Sequence, residues 1–307
     1  MARKLRLEYP GAIYHVLNRG ERREVIFRSD ADRRLFLETL GQAVLKTGWQ
    51  VHALCLMSNH FHLVVETPGG NLVAGMKWFL GTYTSRFNRR HKLSGHLFSG
   101  RYKSLIVDGS GTGYLKTACD YVHLNPVRAK LLRPEQKLAS YRWSTYPAYL
   151  LPARRRPGWL RVDRLLGEHG LPVAGRVARR EFARRMEARR AAELGREWQR
   201  VRRGWCLGGK GFRKELLAEM HGLAGPEHGG AERRETEEAW AEKLLAEALQ
   251  REGWTVGELA QRRKGDAVKV RLARRLRQET TMTLSWIAKQ LHMGAAGSLA
   301  NLLRKTK

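Results

Sequence analysis

In a chain of 307 residues, 58 Lys and Arg against 29 Asp and Glu leave a formal net charge of +29. That excess excludes an ordinary near-neutral metabolic enzyme and points to a polyanionic partner. Hydrophobic residues at 42% exclude a disordered basic tail, so folded structure must display the charge. Cys55, Cys119 and Cys206 are widely separated and form no CxxC pair, which argues against a disulfide framework or a cysteine zinc site and fits a reducing cytosol. The N-terminus has basic residues but no apolar stretch after them, and nowhere do 18 uncharged apolar residues run together. A cytoplasmic, nucleoid-associated protein without a membrane partner is expected. An amphipathic helix on anionic lipid fits less well, because the charge is spread along the whole chain.

In chain order, Ala12 to Asn18 reads as a strand and Asp30 to Thr47 as a helix, with Leu35, Phe36, Leu40, Val44 and Leu45 on one stripe. Trp49 to Met57 and Phe61 to Glu66 read as an antiparallel hairpin turning at Ser58 and Asn59. Asn71 to Arg90 is a helix with an Asn cap, Phe98 to Val107 a strand, and Gly113 to Leu124 a third helix. The resulting βαββαβα pattern predicts an α+β domain over residues 1–150. Pro147, Pro152, Arg154 to Arg156 and Pro157 mark a boundary. Beyond it, 151–230 reads as a basic helical linker and 231–307 as a helical DNA-binding region. Three helical blocks are expected there, Arg176 to Arg203, Ala231 to Gln250, and Asp266 onward, the first two joined by the Gly-rich loop Gly204 to Gly211. Gly208-Gly209-Lys210 lacks the full spacing of a phosphate-binding P-loop.

His60 and His62 are the most informative residues. Period-2 alternation places both imidazoles on one strand face, where they could bind one metal ion, while Phe61 points into the core. Tyr121 and Asn125 are four residues apart, one helical turn, so a phenol and an amide oxygen share a face. Near a divalent cation that polarises a phosphodiester, a phenol can attack phosphorus and become covalently linked to DNA. By spacing alone, the plainer reading is favoured, with Tyr121 as a core residue and Asn125-Pro126 as a helix stop.

Four ordered segments carry a family resemblance: Tyr9 to Val16 (YPGAIYHV), Met57 to Val64 (MSNHFHLV), Phe98 to Lys103 (FSGRYK) and Tyr121 to Ala129 (YVHLNPVRA). Over about the first 150 residues the chain resembles the single-tyrosine HUH (histidine-hydrophobe-histidine) transposases of the IS200-like type, most closely the REP-associated tyrosine transposase branch. The resemblance implies a ferredoxin-like antiparallel sheet with helices on one face, His60 and His62 as metal ligands, and Tyr121 as the nucleophile. Where relatives often have Gln as a third ligand, this chain has the shorter Asn125. The resemblance further implies cleavage and rejoining of single-stranded, hairpin-containing DNA through a 5′-phosphotyrosine link, with Mg²⁺ or Mn²⁺, the latter better suited to two imidazoles.

DNA contacts are expected around this site from Arg86, Arg89 and Arg90 at the end of the second helix, and from Arg101, Tyr102 and Lys103 on the strand before the tyrosine helix. The other histidines, His15 among them, lack comparable geometry. Near the C-terminus, residues 283–305 read as a helix-turn-helix, with Gly294 at the turn and Ser298, Asn301, Arg304 and Lys305 as candidates for base or phosphate contact. The basic run Arg271, Arg274, Arg275 and Arg277 precedes it. Two other readings stay open: a domesticated, sequence-specific DNA-binding regulator without transposition activity, and an RNA-binding protein using the same sheet. The second lacks the RNP-type aromatic strand. A monomer and a homodimer are equally compatible with the sequence.

Overall fold

A computed structural model describes residues 7–192, 198, 201, 204–223 and 231–305. Its centre is a five-stranded sheet in the order β2-β3-β1-β4-β5. β1 (Ala12–Arg19) pairs antiparallel with β3 (His60–Thr67) and with β4 (Lys103–Val107), and β2 (Gln50–Leu56) pairs antiparallel with β3. β5 (Cys206–Leu207) lies parallel to β4, so the sheet is mixed rather than wholly antiparallel. This two-residue strand falls within the expected Gly-rich loop. It satisfies an otherwise open edge, with Ile106 N donating to Trp205 O at 3.0 Å and Asp108 N to Leu207 O at 2.9 Å.

Helices cover both faces of the sheet, not the single face expected. The two-residue repeat of β3 separates them: Phe61 meets Phe36 of α1 (Asp30–Thr47) and Phe79 of α2 (Leu72–His91), while His62 meets Tyr121 of α3 (Tyr114–His123). A capping box at Ser29 and Asp32 starts α1, and Gly48, at φ +69°, ends it in the left-handed region that glycine enters without strain. At Gly75, α2 approaches the sheet so closely that an added Cβ would lie 2.1 Å from the Trp49 ring. Gly75→Val is therefore expected to cost about 1–3 kcal/mol by overpacking, read as a lower urea midpoint. An unchanged midpoint would show that Trp49 can give way.

From the region 151–230, expected as a linker, Leu160, Leu165, Phe182, Trp198 and Leu207 enter the same core as the sheet. A polar knot holds part of it in place. Burial alone would raise the Glu66 carboxyl, but hydrogen bonds from His52 at 3.1 Å and Arg164 at 2.8 Å override it and hold the group at about 2. After α3 come α4 (Asn125–Arg128), α5 (Tyr146–Tyr149) and α6 (Asp163–Glu168), which carries Arg164 of the knot, followed by α7 (Arg176–Ala191) and α8 (Lys210–Leu223).

A second, separate core is built from α9 (Ala231–Glu252), α10 (Val256–Gln261), α11 (Ala267–Glu279), α12 (Leu284–Gln290) and α13 (Ala296–Lys305). Ile287, Ala288, Leu291, Met293 and Leu299 are buried between α12, the turn and α13, and Gly294 sits in that turn at φ +83°. The two cored units touch where α11 meets α1. Among the described residues no helix is long and apolar enough to cross a membrane.

Candidate active site

His60 and His62 project from β3 toward α3, their ring centroids 5.1 Å apart. Each imidazole has its Nδ1 engaged: His60 by the Asn59 side-chain oxygen at 2.7 Å, His62 by Nε2 of His15 at 2.9 Å. Such contacts fix ring orientation and leave both Nε2 atoms for another ligand. Burial, helped by the Arg19 guanidinium, pushes His60 down to about 4. Burial also drives His62 well below the ordinary histidine range, with His15, His60, Arg128 and Arg19 adding to it. Both rings are therefore neutral at pH 7, the form that ligates metals.

His15 was set aside in the sequence, yet it completes this cluster. The antiparallel register pairs Leu17 with His62 and His15 with Val64, so His15 lies diagonally beside His62 on the same face. Its ring stacks on His62 at 5.1 Å with an interplanar angle of 15°, and meets Tyr121 edge-on at 5.4 Å.

Tyr121 is only 7% exposed, with its ring centroid 5.5 Å from that of His62. The guanidinium carbon of Arg128 stands over its face at 4.1 Å, and the same guanidinium donates to the Tyr121 carbonyl. Trp198 closes the cluster, 5.6 Å from the tyrosine ring and 5.3 Å from both Arg128 and Arg189. Arg189 is paired in turn with the buried Asp120. Neither Arg128 nor Trp198 was singled out from the sequence.

Tyr121 and Asn125 do not share one helix. α3 ends at His123 and α4 begins at Asn125, because Pro126 has no N–H to continue the helical ladder. Asn125 is nonetheless buried, and its amide nitrogen has no hydrogen-bond partner. Among the described residues no group of three His, Cys, Asp or Glu is arranged to hold a metal ion. Two neutral imidazoles on one strand face fit a divalent cation that accepts nitrogen ligands, whereas the unpartnered atom of Asn125 is a hydrogen-bond donor and lends the carboxamide no support as a third ligand.

The expected DNA-contacting residues divide. Lys103 is exposed and shares a cross-strand row with His62 through Leu17, which places it on the tyrosine face. Arg101 is exposed but precedes β4, which starts at Lys103 rather than Phe98. Tyr102, expected to stack on bases, is instead packed into the core. Arg86 belongs to the opposite side of the sheet, bonded to Thr39 and Gln42 of α1, and Arg90 is paired with Asp32 at 3.2 Å. Arg89 is exposed on the same helix. Arg19, missed in the sequence, is exposed directly opposite His60. Cys55 and Cys119 are buried, as small hydrophobes would be.

On α13, Ser298, Asn301 and Arg304 are all exposed, and their three-residue spacing puts them on one face. Lys305 ends that helix, with its side chain outside the described ones.

Residues 9–125 match the family described as "Transposase IS200 like". Over this segment, somewhat more than a third of the chain, the sequence is similar to the IS200-like transposases. The IS200-like segment spans β1 through α3 and ends at Asn125, so it contains His60, His62 and Tyr121. Arg128, Trp198 and the whole second core lie beyond it. A solved structure titled "Structure of the REP associates tyrosine transposase bound to a REP hairpin" aligns at 14% identity with a TM-score of 0.41, covering 53% of this chain and 93% of that one. No curated protein matches the chain.

Proposed function

We propose that this protein is a metal-dependent single-strand DNA endonuclease and strand transferase of the tyrosine HUH type, acting on hairpin-bearing DNA of the REP class. The observation that carries the reading is the convergence of Tyr121 with His62 at 5.5 Å on one sheet face, within a segment of transposase family. In the cleavage step the Tyr121 phenolic oxygen bonds to phosphorus and the P–O3′ bond breaks. The phenolic proton is given up, the departing oxygen gains one, and the products are a 5′-phosphotyrosine and a free 3′-OH. Reversal by another 3′-OH rejoins a strand, so no high-energy co-substrate is consumed.

His60 and His62 would hold Mg²⁺ or Mn²⁺ through Nε2, with Asn125 as the proposed third ligand. Bound there, the ion supplies Lewis-acid polarisation of the scissile phosphate. His15 keeps His62 aimed. Arg128 holds its guanidinium over the face of the tyrosine ring, keeping positive charge beside the proposed site of attack. Arg19, Arg101 and Lys103 are placed to hold neighbouring phosphates.

The exposed row on α13 supports DNA contact by the C-terminal unit as well. Arg304→Gln is expected to weaken DNA binding and to lower the slope of log K against log[salt] by about 0.7–0.9, the share of one phosphate contact. An unchanged slope would take Arg304 off the interface.

The proposal is tested by incubating the protein with labelled single-stranded hairpins and Mg²⁺ or Mn²⁺, followed by denaturing electrophoresis. A metal-dependent covalent adduct is expected. Tight binding without adduct across a broad hairpin panel would favour the regulator reading instead.

A further inference from the structure

On the side of the sheet away from Tyr121, the seam between the two cored units holds a pocket of about 410 Å³ lined by Gly81, Thr82, Ser85, Arg86, Arg89 and Arg277. The first five lie on α2 at helical spacing, and Arg277 comes from α11. Lys46 of α1 stands at the same seam, where its ammonium reaches the Thr280 carbonyl at 3.4 Å. Burial, reinforced by Arg277, pushes that ammonium down to about 8.

The cations here are held without being neutralised. Arg86 donates to Thr39 Oγ1 and Gln42 Oε1, both at 2.8 Å, and these neutral acceptors fix the guanidinium while leaving its charge. Among the described residues, Lys46, Arg86, Arg89 and Arg277 make no ion pair with a carboxylate, whereas the nearby Arg90 and Arg275 pair with Asp32 and Glu279. Four cations gathered without a counter-ion repel one another, and an anion between them relieves that repulsion. Guanidinium forks match phosphate oxygens, and the small residues on α2 leave room and supply two hydroxyl donors.

We infer that this seam binds the phosphodiester backbone of a nucleic acid, so that the catalytic and C-terminal units grip one DNA molecule at a point on the far side of the sheet from the tyrosine. The inference rests on the DNA-processing reading and adds a second, non-catalytic contact to it. It reassigns Arg86 and Arg89 from the surroundings of Tyr121 to a site shared with Arg277.

The test uses the full chain carrying Arg89→Gln and Arg277→Gln, both exposed positions, and fluorescence anisotropy with a single-stranded hairpin oligonucleotide over a range of salt. Loss of two phosphate contacts is expected to lower the salt slope by about 1.4–1.8 and to weaken binding about tenfold or more at low salt. An Arg89→Lys, Arg277→Lys protein should recover most of the slope, which a fold defect would not allow. If the wild type binds the hairpin and the Gln variant keeps its slope, the seam is overturned while the DNA reading stands. If the wild type binds no nucleic acid, both fall. A Gln variant that loses binding of inorganic phosphate, measured by calorimetry, yet keeps its DNA affinity would assign the seam to a small anion and overturn the backbone assignment.

Discussion

Tyr121→Phe is expected to abolish covalent capture of DNA while leaving DNA affinity within about twofold of the wild type. The substitution removes the one atom proposed to bond phosphorus, so the loss is of the reaction path rather than a reduction in its rate. What remains is the ring, and the ring makes the contacts: His15, His62 and Trp198 at edge-on distances, and Arg128 over the face at 4.1 Å. Phenylalanine preserves all of these, including the attraction between guanidinium and ring face. Stability should therefore change by no more than about 0.5 kcal/mol, as for a substitution that breaks no packing. Denaturing electrophoresis reads the adduct and anisotropy reads the affinity. A Tyr121→Phe protein that still forms adduct would remove the proposed nucleophile.

His62→Ala is expected to eliminate metal-dependent cleavage and to weaken Mn²⁺ affinity more than about 100-fold, because losing a ligand should exceed the 10–100-fold typical of losing its hydrogen-bonded partner. His15→Ala provides the partner case. It leaves the imidazole of His62 present but unaimed, so a loss of about 10–100-fold in Mn²⁺ affinity is expected. The order His62 worse than His15 is the diagnostic feature, since both residues are buried and either truncation costs some packing. Calorimetric titration of Mn²⁺ into each folded variant measures it. Equal Mn²⁺ affinity in His62→Ala and wild type would remove His62 from the metal site.

The parts of this site that could be read from the sequence are those governed by short-range periodicity. His60 and His62 share a face because a strand repeats every two residues, and Phe61 enters the core for the same reason. The α1 boundaries were equally legible, since the apolar stripe read over Asp30 to Thr47 coincides with the helix. What could not be read depends on how distant segments meet. His15 becomes part of the cluster only through the register of β1 against β3, and no local pattern around it reports that register. Trp198 reaches Tyr121 from a segment that reads as a basic helical linker, because helical spacing rich in Arg resembles a solvated surface even where one aromatic is buried.

Tyr102 and the basic end of α2 were misplaced for a related reason. Tyr102 looks like a stacking platform beside Arg101 and Lys103, but it is packed into the core while its basic neighbours remain exposed. Arg86 belongs to the same basic helix end as Arg89 and Arg90, but the helix packs against the Phe61 side of the sheet, which turns it toward α1 and α11. The two-residue strand β5 is too short to give a periodic signal, and it exists because the β4 edge needs a partner.

The most direct test of the account is to find where the DNA is attached. Wild-type protein is incubated with single-stranded hairpin DNA and Mn²⁺, the adduct is digested with protease and nuclease, and the nucleotide-bearing peptide is sequenced by mass spectrometry. A single modified peptide carrying the phosphate on Tyr121 is the predicted result. Attachment at any other residue, or cleavage that yields no attached nucleotide, would contradict the tyrosine mechanism.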